Sequence, residues 1–327
     1  MDFSDIVGQK EIVESLKNKI ASGRVGHAYI FSGPKGIGKK TMARIFAGLL
    51  LCEEGSGGRR CGKCMPCRLF DSGSNPDFRE INPADASIKI DDIRDMQSDI
   101  IIRPLYSDRK VYLIVDADRM TEQAQNCLLK TLEEPPSYAV IILTSSNNDA
   151  LLETILSRAA NYSFRKNTPE EVKEFLKSKN IHGNKPVDFI VSYADGIIGT
   201  AVELADSDEF TTIREKTIDL VIKLSDSKLA SIFNIYKFFD ENKSNIETIL
   251  NIMVLFYRDL IIAKKEQFGH ILINSDKKDI ILDNARRFSL RKLLDNIEAV
   301  ETAHKNLKQN ANYQLTIEVM LMKIQEE

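Results

Sequence analysis

Nine residues, Gly33-Pro-Lys-Gly-Ile-Gly-Lys-Lys-Thr41, lie between an apolar run and a helical pattern and have the composition of a loop that wraps phosphate. Glycines let backbone N–H groups turn inward around phosphate oxygens at a helix N-terminus, where the helix dipole favours an anion. Gly33, Gly36 and Gly38 supply that freedom, and Lys39 stands where the motif lysine reaches the β and γ phosphates. The next position calls for a Ser or Thr hydroxyl to hold Mg²⁺, and here it is Lys40. A cationic side chain cannot ligate magnesium and repels it. Thr41 comes one residue late, about 100° further round a helix. The loop is expected to hold the phosphates of ATP or ADP without metal-assisted hydrolysis.

A second stretch, Val111-Tyr-Leu-Ile-Val-Asp116, is an apolar run closed by a carboxylate able to orient Mg²⁺. A hydrolytic site needs a base beside it, and the following residue is Ala117, whose methyl can neither accept a proton nor align water. Asp118 is a candidate substitute base, or else a helix-capping or solvated carboxylate. Lys40 and Ala117 are independent departures that point to the same outcome, a site that does not turn ATP over.

Four of the five cysteines, Cys52, Cys61, Cys64 and Cys67, crowd into one segment with the spacing C-x8-C-x2-C-x2-C. Four thiolates suit tetrahedral Zn²⁺, and with every ligand position taken by protein the ion is structural. Such binding is worth roughly 10–16 kcal/mol in small metal modules, enough to order a Gly-rich insertion. A redox dithiol, unrelated buried cysteines and an iron–sulfur cluster are the alternatives. Cys127 stands apart and reads as a small core residue.

Elements must hold these residues in place. His27–Ser32, Val111–Val115 and Val140–Leu143 are apolar runs suited to strands buried on both faces, and Asp77–Ile81 is a weaker candidate. Between them, Thr41–Leu51, Asp91–Ile102 (capped by Asp91 or Asp92) and Thr121–Glu134, which must stop at Pro135, read as helices. Alternation of this kind indicates a parallel α/β sheet. Beyond Arg158 the pattern is helical. Thr168-Pro-Glu-Glu171 has a capping Thr, Pro at the first helical position and Glu at the third. The segment 266–286, with Gly269, Asn274 and Asp276, reads as an interhelical loop. In the last helix Leu315, Val319 and Met322 form one apolar line with Ile317, Leu321 and Ile324 beside it, a stripe wide enough to meet its own domain or a neighbouring subunit. With 327 residues, 43% hydrophobic, 28% charged and a net charge of −3, the chain has the balance of a globular protein and no global positive field for nucleic acid. The opening MDFSDIVGQK is no signal peptide and no apolar run is long enough to span a membrane, so a cytoplasmic location is expected.

Together HAYIFSGPKGIGKKT, the four-cysteine insertion after its helix, VYLIVDADRMTEQAQNCLLKTLEEPP and ILSRA resemble the bacterial DNA polymerase III clamp-loader AAA+ family. The likeness includes Phe3–Gln9, runs through the first 200 or so residues, and returns in NANYQLTIEVMLMKIQ near the end. It implies a P-loop AAA+ parallel-sheet domain over 1–164 with a zinc module at 52–67, a helical lid over 165–207, and an all-α collar domain for oligomerisation over 208–327. ATPase members (gamma and tau) carry Lys-Thr or Lys-Ser in the loop, Asp-Glu after the second strand, and Arg in the lid where this chain has Gly199. The three departures are similar to the delta-prime branch of the family, which acts as a comparatively rigid end of the ring. The resemblance makes Arg158, after Ser157 and before Ala159 in place of the family's Cys, an arginine finger that acts in trans on a neighbour's nucleotide. A surface salt bridge is the plain alternative for Arg158. Ser145 aligns with the family's sensor position.

The partners implied are the gamma/tau ATPase subunits, a delta subunit, the sliding clamp, and primed DNA reached through the assembled complex. Two rival functions stay open at this point. One is an active gamma/tau-like ATPase that uses Thr41 and Asp118. The other is a zinc-dependent DNA-binding module that uses Arg59, Arg60, Lys63 and Arg68 around the cysteines.

Overall fold

The computed structural model describes residues 2–55, 58–83, 87–181, 187–226, 232–264 and 272–326. They form two compact units, Met1–Phe175 with Ala194–Ala201, and Leu176–Tyr193 with Val202–Glu327.

The first unit is built on a parallel sheet of β1 (Ala28–Ser32), β2 (Phe78–Ile81), β3 (Lys110–Ile114), β4 (Ala139–Ser145) and β5 (Ala160–Ser163) in the order β2-β3-β4-β1-β5. Every residue of β1, β3 and β4 is buried, which is why these strands read as unbroken apolar runs. Side chains alternate across the sheet. Tyr29, Phe31, Leu113 and Ile142 enter one core, and Ile30, Tyr112 and Ile141 enter the other. Helices α1 (Lys10–Ala21), α2 (Lys39–Leu51), α3 (Met65–Asp71), α4 (Ile90–Ile100), α5 (Glu122–Glu133) and α6 (Glu153–Leu156) complete the layers.

Strand β5 is absent from the sequence reading because Ala-Asn-Tyr-Ser has no apolar run. It is an edge strand, and Tyr162 supplies its anchorage by stacking on Tyr29 at 6.2 Å and meeting Phe31 edge-on at 5.8 Å. The cap of α4 also differs from expectation. Lys89 holds the N-cap position, and Asp92, in the first turn, accepts the Lys89 N–H at 2.8 Å. The start of α7 (Pro169–Ser178) follows the sequence, with Thr168 Oγ1 accepting the Glu171 N–H at 3.2 Å and Glu171 Oε2 accepting the Thr168 N–H at 2.9 Å.

The remaining helices are α8 (Val187–Ala194), α9 (Ile198–Asp206), α10 (Asp208–Asp226), α11 (Ile232–Glu241), α12 (Ile246–Lys264), α13 (Lys278–Ala285), α14 (Leu290–Lys308) and α15 (Tyr313–Gln325). In the second unit α12 packs on α13 and α14, and α14 packs on α15. The loop expected over 266–286 is corrected by α13. Its polar residues hide Ile281, which is buried, while Gly269 lies outside the described residues. The segment before α13 is fixed by Arg214, which donates to Asn274 Oδ1 at 2.8 Å and Asp276 Oδ1 at 2.7 Å. The stripe of α15 splits in two. Ile317, Leu321 and Ile324 are buried, whereas Leu315, Val319 and Met322 are 61%, 42% and 44% exposed. Among the described residues no helix is long and apolar enough to cross a membrane.

Candidate functional site

The loop between β1 and α2 turns on two glycines in the left-handed region, Gly36 at φ 80° and Gly38 at φ 104°, the latter serving as N-cap of α2. It opens on a cleft of about 480 Å³ lined by Lys35, Gly36, Gly38, Lys39, Lys40, Thr41, Asp116 and Thr144, with Asn82, Pro83 and Val115 completing the wall. Gly33 stands just behind this wall, where its carbonyl accepts Lys39 Nζ at 2.6 Å. The same ammonium donates to Pro34 O at 2.9 Å and Ser146 Oγ at 3.1 Å. Lys39 is buried, and burial lowers its pKa against the opposing pull of Asp116 and Asp118.

Lys40 turns toward β2. Its Nζ lies 2.7 Å from Glu80 Oε1 and 3.2 Å from Asn82 Oδ1, and the other Glu80 oxygen takes Arg44 Nη1 at 2.6 Å. Burial works to raise the Glu80 pKa, but bonds from Lys40 and Asn82 and the charges of Lys40 and Arg44 outweigh it, and the carboxyl is held below its ordinary value. Thr41 lines the cleft and is exposed.

Asp116 follows β3 with a left-handed backbone, φ 51°, and donates its N–H to Thr144 Oγ1 at 2.9 Å. The left-handed kink directs the next side chain away. The methyl of Ala117 is fully buried in the core with Leu128 and Ile141. Asp118 is engaged as well, since its Oδ1 accepts the Ser146 N–H at 3.1 Å. Strand alternation separates the residues at the end of β4. Thr144 lines the cleft and Ser146 holds Lys39, whereas Ser145 is buried with its Oγ accepting the Asn147 N–H at 3.2 Å. Gly199 presses its backbone on the loop. It donates its N–H to Gly36 O at 2.9 Å, and a Cβ built on it would meet that oxygen at 2.8 Å. No side chain fits at that position without a shift of backbone.

The cysteines join the end of α2 to the start of α3, with Cys52 as the C-cap of one helix and Cys64 as the N-cap of the other. All four sulfurs lie within 4.8 Å of one another. A tetrahedral ion with metal–sulfur bonds of about 2.3 Å brings its ligands to roughly 3.8 Å apart, so little movement is required. Backbone N–H groups of Cys61 and Cys64 point at Cys52 Sγ (3.3 Å) and Cys61 Sγ (3.4 Å). Bonds from the Cys64 and Lys63 backbone pull the Cys61 thiol down to about 6, whereas burial pushes Cys67 up. The four can hold a metal ion. Three of the four basic residues of the module are matched by acids, Arg59 with Asp2, Arg60 with Asp71 and Lys63 with Glu54. That pairing weakens the reading of the module as a nucleic-acid site. Cys127 packs beside the second core with its Sγ 3.2 Å from Gln97 Oε1.

Arg158 is not among the residues lining the cleft. It ends the α6 segment with its side chain 36% exposed, pairs with Glu133 at 2.8 Å and donates to Thr154 O at 3.0 Å, while Ala159 packs against the core. The sequence reading brings Gly36, Gly38, Lys39, Lys40, Thr41 and Asp116 to one cleft and misses Glu80, Asn82, Thr144 and Ser146. The Thr-Ser-Ser run at the end of β4 is a signal for the last two. Glu80 leaves none, because its partners lie 36 and 40 residues away in sequence.

The sheet order, the phosphate loop between β1 and α2 and the carboxylate closing β3 define the first unit as a P-loop domain of AAA+ type. A family profile described as "DNA polymerase III, delta subunit" matches residues 8–168, and one described as "DNA polymerase III, delta subunit, C terminal" matches residues 208–326. The chain is 32% identical over 324 residues to DNA polymerase III subunit delta' of Bacillus subtilis, covering 97% of this chain and 96% of that one. It is 27% identical to subunit tau of the same organism over 98% of this chain and 61% of tau. A solved structure of a DNA polymerase III gamma subunit-related protein from Thermotoga maritima aligns over 96% of this chain and 98% of its own, at 21% identity and a TM-score of 0.46. The chain belongs to the DNA polymerase III delta-prime family.

Proposed function

We propose that this protein is a non-hydrolysing, delta-prime-type subunit of a clamp-loader complex that helps place the sliding clamp on primed DNA during replication in the cytoplasm. Its contribution to chemistry is Arg158, offered to the nucleotide site of a neighbouring gamma/tau ATPase subunit. The observation that carries the non-hydrolysing reading is the cleft itself. An ammonium held by Glu80 stands where magnesium needs a hydroxyl, and the residue after Asp116 points into the core. These features weigh against an active ATPase that relies on Thr41 and Asp118, since Asp118 is already bonded to the Ser146 N–H.

In this reading Gly33, Gly36, Gly38 and Lys39 hold the phosphates of ATP or ADP with Asp116 and Thr41 at the edge of the cleft, and the nucleotide is kept, not cleaved. Cys52, Cys61, Cys64 and Cys67 hold Zn²⁺ as a structural ion. The outward residues of α15, Leu315, Val319 and Met322, with Leu290 and Leu294 of α14 at 44% and 53% exposure, offer an apolar face to the gamma/tau and delta subunits.

Arg158 is tested in a complex reconstituted with the ATPase subunits. Replacing Arg158 with Ala is expected to lower clamp-dependent ATP turnover at the neighbouring site by about 10³-fold, the lower end for fingers of this kind. Unchanged turnover removes the role.

A further inference from the structure

We infer that the ammonium of Lys40 takes the place of magnesium in the cleft, so that a nucleoside di- or triphosphate is bound there as the metal-free anion; the inference rests on the nucleotide-holding reading above. Three ammonium groups line this cleft, those of Lys35, Lys39 and Lys40, against one lining carboxylate, Asp116. A polyphosphate needs several positive charges close by, and the cleft supplies them from side chains. Magnesium faces the reverse situation. It demands near-octahedral oxygen ligands and gives up its water reluctantly, and here the Lys40 ammonium stands where its hydroxyl ligand belongs.

The position of Lys40 is built rather than incidental. Glu80, whose side chain is 15% exposed, grips Lys40 through Oε1 at 2.7 Å and is itself anchored by Arg44 at 2.6 Å. Asn82, which also lines the cleft, accepts from Lys40 at 3.2 Å and donates to Glu80 at 3.1 Å. An ammonium has three donors. Glu80 and Asn82 take two, and the third remains for a phosphate oxygen. The Lys40 side chain is 47% exposed, so that donor is within reach of a ligand entering from solvent. Lys39 completes the arrangement. It rests on the Gly33 and Pro34 carbonyls and Ser146 Oγ, contacts that an entering phosphate would replace.

The test is equilibrium binding of ADP and ATP to the full-length, zinc-loaded chain, in buffer stripped of magnesium on chelating resin and in the same buffer with millimolar magnesium. Dissolved chelators are avoided because they would attack the cysteine site. The wild-type chain is expected to bind with the same affinity, to within about twofold, in both buffers. Lys40→Thr, which supplies the hydroxyl that magnesium requires, is expected to bind about tenfold more weakly without magnesium and to recover when it is added. Lys40→Gln, which keeps the length and loses the charge, is expected to bind weakly in both, and it serves if Lys40→Thr melts early. Wild-type affinity that rises tenfold with magnesium overturns the inference and leaves the nucleotide-holding reading standing. Metal-free binding that survives in Lys40→Thr or Lys40→Gln also overturns it. No saturable binding to the wild-type chain in either buffer removes both.

Discussion

Two places in the first unit deal with a cation in opposite ways, and helix α2 connects them. At its N-terminus the loop gathers ammonium groups, and at its C-terminus the chain gathers sulfurs. The cysteines are sulfur donors suited to a cation, brought close by two helix ends and by N–H groups aimed at sulfur. The cleft already carries cations, and two of them, Lys39 and Lys40, are tied to oxygen of the same chain. One region gathers ligands that can hold a metal ion, whereas the other gathers positive side chains. The contrast shows that the backbone makes the turn while the side chains on it choose the ion.

The largest expected effect falls on the metal-requiring end. Cys64→Ser, or zinc removal by a chelator, forfeits binding worth roughly 10 kcal/mol to a module of this kind. Metal analysis is expected to drop from one equivalent to none, with a lowered Tm. Full metal retention in Cys64→Ser would break the contrast. Next in size is Ala117→Glu, the change that restores the usual base. Because Ala117 is fully buried, it is expected to cost on the order of 3 kcal/mol by burying a carboxylate, with no ATP turnover gained. Denaturant unfolding measures the first outcome and phosphate release the second.

Gly199→Arg is expected to cost about 1–3 kcal/mol, since its Cβ would stand 2.8 Å from the Gly36 carbonyl oxygen, and thermal unfolding reads it. The smallest effect is that of Glu80→Gln, about 1 kcal/mol for a partly exposed pair. It has a pH signature. Glu80 is held below its ordinary value of 4.5, so its contribution is complete above that pH and lost as the pH falls through the lower folded value. Stability curves of wild type and Glu80→Gln are expected to differ above pH 4.5 and converge below it.

Much of this was legible in the residues. Period and composition give the buried strands β1, β3 and β4, and the motif shows Lys40 and Ala117 standing where an ordinary hydrolytic site carries a hydroxyl and a carboxylate. The cysteine spacing gives the group of four sulfurs that can hold a metal ion. What could not be read is tertiary in origin. The pairing of Lys40 with Glu80 links residues 40 positions apart, and the inward turn of Ala117 follows from the left-handed backbone at Asp116. Strand β5 exists because Tyr29 and Phe31 offer Tyr162 a place to pack, which no local pattern records. That Thr144 and not Ser145 lines the cleft is set by the strand, in which one residue is the other face of the sheet.

The restraint on Arg158 is slight. One carboxylate, half open to water, and one carbonyl hold the guanidinium on the surface of a free subunit. Contacts of that kind are worth at most about 1 kcal/mol. Under the proposed function, an arm so lightly fastened would change allegiance when a more concentrated negative charge arrives and return when that charge departs. Engagement and release could then be repeated many times without unfolding any part of the protein that carries the arm.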